Sequence, residues 1–235
     1  MKKADVIKLL KESTDERGVA HWKKRGEKGS QLKSFGIGLT RLRKLAKQIG
    51  RDHDLALELW DTDIYDARVI GLLIDDPKRV TRSQAEHQVE QLRGGYLAHV
   101  FASCDATLAK TPFAFDLACD WMESEDPVRR RCAYSLIYEL SKKNPTGMDT
   151  EFLLVLIDQI QRHIHGEDMW VREAMNTALM GIGKRNKKLN KAAVRAAKAI
   201  GPVDVDYGDD NACQPLDVLK HLTSEHVQQR LGAAK

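Results

Sequence analysis

The sequence has little that favours a metal site or a disulfide-stabilised fold. Its four cysteines are widely spaced, and no two of them have the C-x-x-C spacing of a metal or redox motif; they are Cys104, Cys119, Cys132 and Cys213. Such cysteines are typical of free thiols in a reducing compartment. His163 and His165 fall on different faces of a helix, with no cysteine nearby as a third ligand. The sequence therefore predicts no metal ion.

Long apolar runs are also missing, as is the apolar core of a secretory signal. A membrane-spanning helix needs about 20 consecutive apolar residues. The sequence therefore predicts a cytoplasmic protein with no membrane partner. It contains no Gly-x-Ser-x-Gly elbow, no phosphate-binding glycine loop and no dinucleotide fingerprint, so no cofactor is predicted.

A large surplus of one charge is absent as well. The chain has 38 lysines and arginines against 34 acidic residues, for a net charge of +4. This balance neither requires nor excludes a polyanion as partner, so the distribution of the cations must decide.

What the sequence does contain is a motif that recurs three times, in which acidic residues are followed by arginine and then by apolar residues. The copies span residues 61–73, 125–136 and 167–175. Each is typical of a helix start, where acidic groups favour the positive end of the helix dipole. The second and third copies lie about forty residues apart, a period found in HEAT-type helical pairs. The recurrence therefore predicts an all-α solenoid of degenerate, HEAT-like helical repeats.

Helical periodicity covers nearly all of the chain and predicts about a dozen helices with short loops. Four of the predicted helices span residues 96–108, 148–164, 192–200 and 215–231, and residues 26–38 are predicted to form a loop. We expect a single domain over residues 1–235, with a repeat core at about 30–200. An extended connector and a C-terminal helix then occupy residues 201–235.

Cations cluster on particular predicted helices, and tryptophans are spread along the chain. The densest run of cations lies at residues 184–198, and the tryptophans are Trp22, Trp60, Trp121 and Trp170. Cations on successive inner helices can follow a phosphate backbone, and tryptophan beside arginine can stack on a sugar or base. Solvated helix surface for the cations and core packing for the tryptophans remain the alternatives.

Several segments together resemble the DNA alkylation repair family, the HEAT-like repeat (AlkD-like) DNA glycosylases. The segments are residues 35–47, residues 55–61 with 65–68, residues 124–131 and residues 170–174. The resemblance covers roughly residues 30–200. It implies a C-shaped superhelix with a basic concave groove for duplex DNA. It also implies excision of N3- or N7-alkylated purines, which are cationic and leave readily; a carboxylate would stabilise the oxocarbenium-like sugar.

The resemblance carries over to individual residues only in part. The arginine that grips DNA in the family falls on Arg131. The family's Trp-x-x-x-Asp motif falls on Tyr96 to Val100, so an aromatic ring is kept but the catalytic carboxylate is replaced by valine. Catalytic residues are therefore unassigned, and glycosylase activity is left open.

We expect a monomeric protein that binds duplex DNA, including damaged or branched DNA, by the shape of its backbone. The residues predicted to contact DNA are Arg131, Arg68, Arg172, Arg41, Lys44, Tyr96 and Trp170. Excision of alkylated purines is one further expectation. The alternative is a non-catalytic HEAT-repeat scaffold for other proteins.

Overall fold

The structure, a computed structural model, describes residues 1–25, 31–93, 95–143, 145–207 and 213–233. Within these ranges the chain forms fourteen α-helices and two 3₁₀ segments. The only strand-like feature there is an isolated parallel bridge between Lys33 and Ile64. The prediction of an all-helical fold is thus confirmed. Of the predicted loop at 26–38, residues 26–30 lie outside the described residues and residues 31–38 contain no helix.

The chain divides into two compact units, Met1–Ala114 (unit 1) and Phe115–Lys235 (unit 2). The single domain over residues 1–235 stays a prediction. The helices of unit 1 are α1 (Lys3–Glu12), α2 (Glu16–Arg25), α3 (Leu39–Ile49), α4 (His53–Trp60), α5 (Tyr65–Ile74), α6 (Arg82–Glu90) and α7 (Gly95–Ala102), followed by a 3₁₀ segment at Leu108–Lys110. From the unit boundary onward come α8 (Ala114–Met122), α9 (Pro127–Ser141), α10 (Thr150–His163), a 3₁₀ segment at Ile164–Gly166, α11 (Met169–Gly183), α12 (Lys187–Ile200), α13 (Val218–Leu222) and α14 (Glu225–Ala233).

In unit 1, helix α5 is central and packs against α1, α3, α4 and α7. Its buried residues include Ala67, Val69 and Ile70, each fully enclosed. At Gly71 an added Cβ would lie 2.8 Å from the carbonyl oxygen of Ala56, so glycine allows α4 and α5 to approach closely. The apolar run of the first acid–arginine copy is therefore the core of this unit.

One acidic residue of that first copy, Asp66, anchors a neighbouring segment. Its buried carboxylate accepts hydrogen bonds from the Ser34 hydroxyl (2.9 Å), the Phe35 amide (2.7 Å) and the Ile37 amide (3.1 Å). Burial raises the pKa of the Asp66 carboxyl, against the effect of these hydrogen bonds. The segment that carries the first part of the family resemblance, together with Ser34 before it, is thus held to the start of α5 by three bonds to one carboxylate.

In unit 2, α9 packs along α11, while α12 packs against both α10 and α11. The contact between α9 and α11 depends on Gly181, where an added Cβ would lie 2.8 Å from Cδ2 of Tyr138. Helix α9 starts as the second acid–arginine copy predicts: the Asp126 side chain accepts a hydrogen bond from the Val128 amide, and Pro127 occupies the first turn.

Three predicted helix boundaries are wrong. The helix expected over residues 96–108 ends at Ala102, because Cys104 and Asp105 adopt positive φ angles of 57° and 70°, which an α-helix does not contain. The C-terminal helix expected over residues 215–231 is two helices, α13 and α14. Helix α12 begins at Lys187, well before residue 192, because Asn186 caps it by accepting a hydrogen bond from the Leu189 amide. The described part of the predicted connector, up to residue 207, contains neither helix nor strand.

Candidate nucleic-acid interface

The recurring arginines have a structural role in two of the three copies. Arg68 Nε donates to the carbonyl of Thr62 (2.9 Å), and Arg130 Nη1 donates to the carbonyl of Ser124 (2.8 Å). In both cases the acceptor lies six residues earlier, in the loop that precedes the helix. The shared arginine therefore fastens each helix to its entry loop.

Each of these two arginines has a further partner. The guanidinium of Arg68 lies 5.1 Å from the centroid of the Trp60 ring. Arg130 forms a bidentate pair with Glu167, with Nε and Nη2 donating over 2.9 and 2.7 Å, and this pairing raises the pKa of the guanidinium. Arg130 belongs to the second copy of the motif and Glu167 to the third, so their pair links the two copies. Its planar, bidentate geometry restricts both side chains.

Arg131, the next residue of α9, has different surroundings. It is only 3% exposed, and its guanidinium carbon lies 4.7 Å from the centroid of the Trp170 ring. Trp170 is partly exposed and is the second residue of α11. A cation over the face of an indole contributes about 0.5–2 kcal/mol, more as water is excluded. The structure thus brings together two of the predicted DNA-contacting residues.

A carboxylate and a phenol complete this group. Glu173 lies on α11 and is hydrogen bonded to Tyr207, whose ring centroid lies 6.0 Å from that of Trp170. We call Arg131, Trp170, Glu173 and Tyr207 the Arg131 cluster.

Burial dominates the ionisation of the two acids in the Arg131 cluster. It raises the pKa of the Glu173 carboxyl, while the charge of Arg131 and the hydrogen bond from Tyr207 oppose that rise. Burial, followed by the charge of Glu173, raises the pKa of Tyr207 to about 12. The Tyr207 hydroxyl therefore keeps its proton at neutral pH and can donate it to the carboxylate. The cluster offers an aromatic ring, a cation and a carboxylate within one small region.

Comparisons with known proteins decide the family. The model of the family described as "DNA alkylation repair enzyme" matches residues 6–205, which is most of the 235-residue chain. The chain belongs to the DNA alkylation repair enzyme family. Two curated relatives are uncharacterized proteins of Listeria: Lin0241 of Listeria innocua is 24% identical and Lmo0209 of Listeria monocytogenes is 23% identical. Each alignment covers 81% of this chain and 83% of the relative.

A solved structure shares the fold of this alkylation-repair family member. It comes from a family of proteins related to the HEAT-like repeat DNA glycosylases with affinity for branched DNA structures. The TM-score is 0.83 at 24% identity, over 99% of this chain and 97% of that one. The likeness confirms the prediction of HEAT-like helical repeats.

The positions onto which the alkylation-repair motif falls both lie on α7, in unit 1. Tyr96 is 43% exposed, and its hydroxyl lies 3.5 Å from Nε2 of His21. Val100 is 2% exposed and packs in the core, one helical turn further along. An apolar side chain at Val100 suits that core, and it leaves α7 with no carboxylate at the motif position.

The other predicted contacts differ in exposure. Arg41 and Lys44 are exposed on α3, whereas Arg68 is half-buried in its contacts with Thr62 and Trp60. Arg172 is half-buried, and its Nε has no hydrogen-bond partner within the residues that the structure describes. In that same part of the chain, no group of three or more His, Cys, Asp or Glu side chains could hold a metal ion. None of the described helices is long and apolar enough to cross a membrane.

Glu173 and Tyr207 are not among the site residues predicted from the sequence. Glu173 is part of the third acid–arginine copy and follows Arg172 directly, so its type and place could have marked it as a candidate carboxylate. Tyr207 ends the extended segment after α12, and no sequence pattern indicates that this segment returns to the start of α11.

Proposed function

We propose that the protein binds DNA through the sugar–phosphate backbone. It prefers branched or distorted duplexes to linear ones and does not select a particular base sequence. The observation that carries this proposal is the pairing of Arg131 with Trp170 at the N-terminus of α11. Trp170 is partly exposed, and the buried Arg131 lies over its ring. Ring faces of this kind stack on sugars and bases without regard to sequence.

The N-terminus of α11 adds backbone donors to this surface. Asp168 occupies the N-cap position, but its side chain makes no capping hydrogen bond to the first amides of the helix. Amides at a helix N-terminus, together with the helix dipole, favour phosphate. Arg172 lies in the same first turn and supplies a further cation.

Two findings from comparison support the same partner. The chain belongs to a family of DNA alkylation repair enzymes, and the solved structure that shares its fold comes from a family with affinity for branched DNA. In unit 1, we assign the exposed residues Arg41, Lys44 and Tyr96, together with Arg68, as further backbone contacts.

The test is a fluorescence-anisotropy titration of the full chain with a four-way junction and with a linear duplex, each at two salt concentrations. Trp170→Ala is compared with Val155→Ala, which removes an exposed apolar side chain from α10. We expect the wild-type protein to bind the junction more tightly. Trp170→Ala should weaken binding by about 1–3 kcal/mol, the usual effect of removing one stacked aromatic. Wild-type protein that binds neither DNA at low salt would instead support the scaffold alternative.

A second function, excision of alkylated purines, is favoured by one observation. Glu173 places a carboxylate next to Trp170 and Arg131, although Val100 occupies the motif position of the family carboxylate. An N3- or N7-alkylated purine leaves with the electrons of its N-glycosidic bond, and water then adds to C1′ and loses a proton. An ionised Glu173 would stabilise the positive charge that develops on the sugar.

This second function is tested by base release from methylated duplex DNA. We expect wild-type protein to release the modified purine and Glu173→Gln to be slower by about 10²–10³-fold, the usual cost of losing one electrostatic stabiliser. Asp168→Asn, which neutralises an exposed carboxylate near the same helix start, serves as the control. If wild-type protein binds DNA yet releases no base, the binding function stands alone.

A further inference from the structure

Helix α12 presents a stripe of cations on its exposed face. Lys187, Lys191, Arg195 and Lys198 are all exposed and follow one another at intervals of four, four and three residues. At 100° per residue these positions fall within about 80° of arc on one side of the helix. We call these four residues the α12 stripe.

The opposite face of α12 is apolar and packed. Its buried residues are Leu189, Asn190, Ala192, Ala193, Ala196, Ala197 and Ile200, and the helix packs against α10, α11 and α13. The α12 stripe therefore points away from the rest of unit 2. It lies on a different helix from every member of the Arg131 cluster.

The α12 stripe differs from ordinary solvated helix surface in its charge pattern. Helix α12 contains no acidic residue from Lys187 to Ile200. None of the four cations has an ion-pair partner among the residues that the structure describes. By contrast, the neighbouring helix α10 mixes both signs and pairs Arg162 with Asp158. In a chain with 38 basic and 34 acidic residues, an exposed helix face of one sign is not explained by composition.

The pattern also disfavours the helix in isolation. Like charges four residues apart repel one another, and Lys187 faces the positive end of the helix dipole. Just before the helix, burial lowers the pKa of the Lys184 ammonium, and the nearby charges of Arg230 and Lys142 lower it further. A bound polyanion would offset the repulsion among these cations and the unfavourable position of Lys187 at the positive end of the helix dipole.

We propose that the α12 stripe binds the phosphate backbone of a second duplex arm when the protein is bound to branched DNA; this inference rests on the DNA-binding function proposed above. Successive members of the stripe are spaced by about 4.5–6 Å along the helix, roughly one turn at a time. The stripe extends over about 16 Å, which corresponds to roughly five base pairs of duplex. A linear duplex offers one arm, whereas a junction offers further arms for this face to bind.

The experiment compares two quadruple variants of the full chain. One neutralises the stripe (K187Q/K191Q/R195Q/K198Q). The control variant, K3Q/K8Q/K11Q/K23Q, neutralises four exposed lysines of α1 and α2 and changes the net charge equally. Binding to a four-way junction and to a linear duplex is measured between 50 and 200 mM salt, after circular dichroism confirms that both variants are folded.

We expect wild-type protein to show a steeper salt dependence with the junction than with the duplex. Four phosphate contacts add about 3.6 to the slope of log K against log salt. Neutralising the stripe should remove that excess, so that the junction slope falls to the duplex slope, while duplex binding and the control variant stay unchanged.

Two results would overturn the inference: an unchanged junction slope, or an equal loss of slope with junction and duplex. Both differ from failure of the proposed function, in which wild-type protein binds neither DNA.

Discussion

The guanidinium carbon of Arg131 on α9 lies 4.7 Å from the centroid of the Trp170 ring on α11. This pair joins the helix starts of the second and third acid–arginine copies. Because Arg131 is buried, its charge interacts with Trp170 and Glu173 inside the fold and not directly with a ligand. The consequences of this arrangement can be measured.

Replacing Arg131 by alanine should weaken DNA binding without flattening its salt dependence. The cation–π contact contributes about 1 kcal/mol, so a less ordered Trp170 should lower the affinity by up to roughly fivefold. A direct phosphate contact would instead lower the salt slope by about 0.9. Anisotropy titrations at several salt concentrations distinguish the two. Arg129→Ala, which removes an arginine stacked on Trp121, is the matched control on the same helix.

Glu173→Gln should alter how stability depends on pH. Burial raises the pKa of Glu173 in the folded protein above the value of about 4.5 of the unfolded chain. Between these two values the folded state binds more protons, so wild-type stability falls as pH rises through this window. The variant does not lose stability in this way as the pH rises. We therefore expect the free energy of unfolding of the variant minus that of wild type, measured with urea, to be larger at pH 7 than at about pH 4.5. A constant difference at both pH values would contradict the assignment.

Arg130→Ala should destabilise the fold but leave the DNA affinity of the folded protein unchanged. The variant loses the bidentate pair with Glu167 and the bonds to the carbonyls of Ser124 and Glu125. Removing charge-assisted hydrogen bonds in a largely buried place costs about 2–3 kcal/mol. The change appears in the midpoint of denaturant unfolding. Arg162→Ala, which breaks an exposed pair with Asp158 on α10, should cost less than about 1 kcal/mol.

Gly181→Ala should destabilise unit 2 by overpacking the contact between α9 and α11. The added Cβ would lie 2.8 Å from Cδ2 of Tyr138 and 3.3 Å from Cβ of Ser141. Inserting a methyl group into a packed interface costs about 1–3 kcal/mol. Gly166→Ala is the control, because a Cβ there meets nothing within 4 Å. Thermal unfolding followed by circular dichroism should show a lower midpoint for Gly181→Ala alone.

The fold class was predictable because its signals are local. Apolar residues at helical spacing mark α3 and α5, and Pro127 after Asp126 marks the start of α9. The predicted helix boundaries were wrong where the backbone departs from the local apolar pattern. Helix α7 ends early because Cys104 and Asp105 adopt positive φ, although the apolar pattern continues beyond them. The candidate site was predicted only in part, since Arg131 and Trp170 were identified individually but Glu173 and Tyr207 were not.

The sequence by itself determined the helical class, the repeated helix starts and the resemblance to the alkylation-repair family. Periodicity, capping and motif order depend only on the types and order of residues along the chain. Only the tertiary structure decided the roles of the arginines. Arg130 and Arg131 are adjacent in one motif, yet a rotation of 100° around α9 turns one toward Glu167 and the other toward Trp170. Neighbours in sequence thus differ in burial and partners, and those depend on which helix packs against each face.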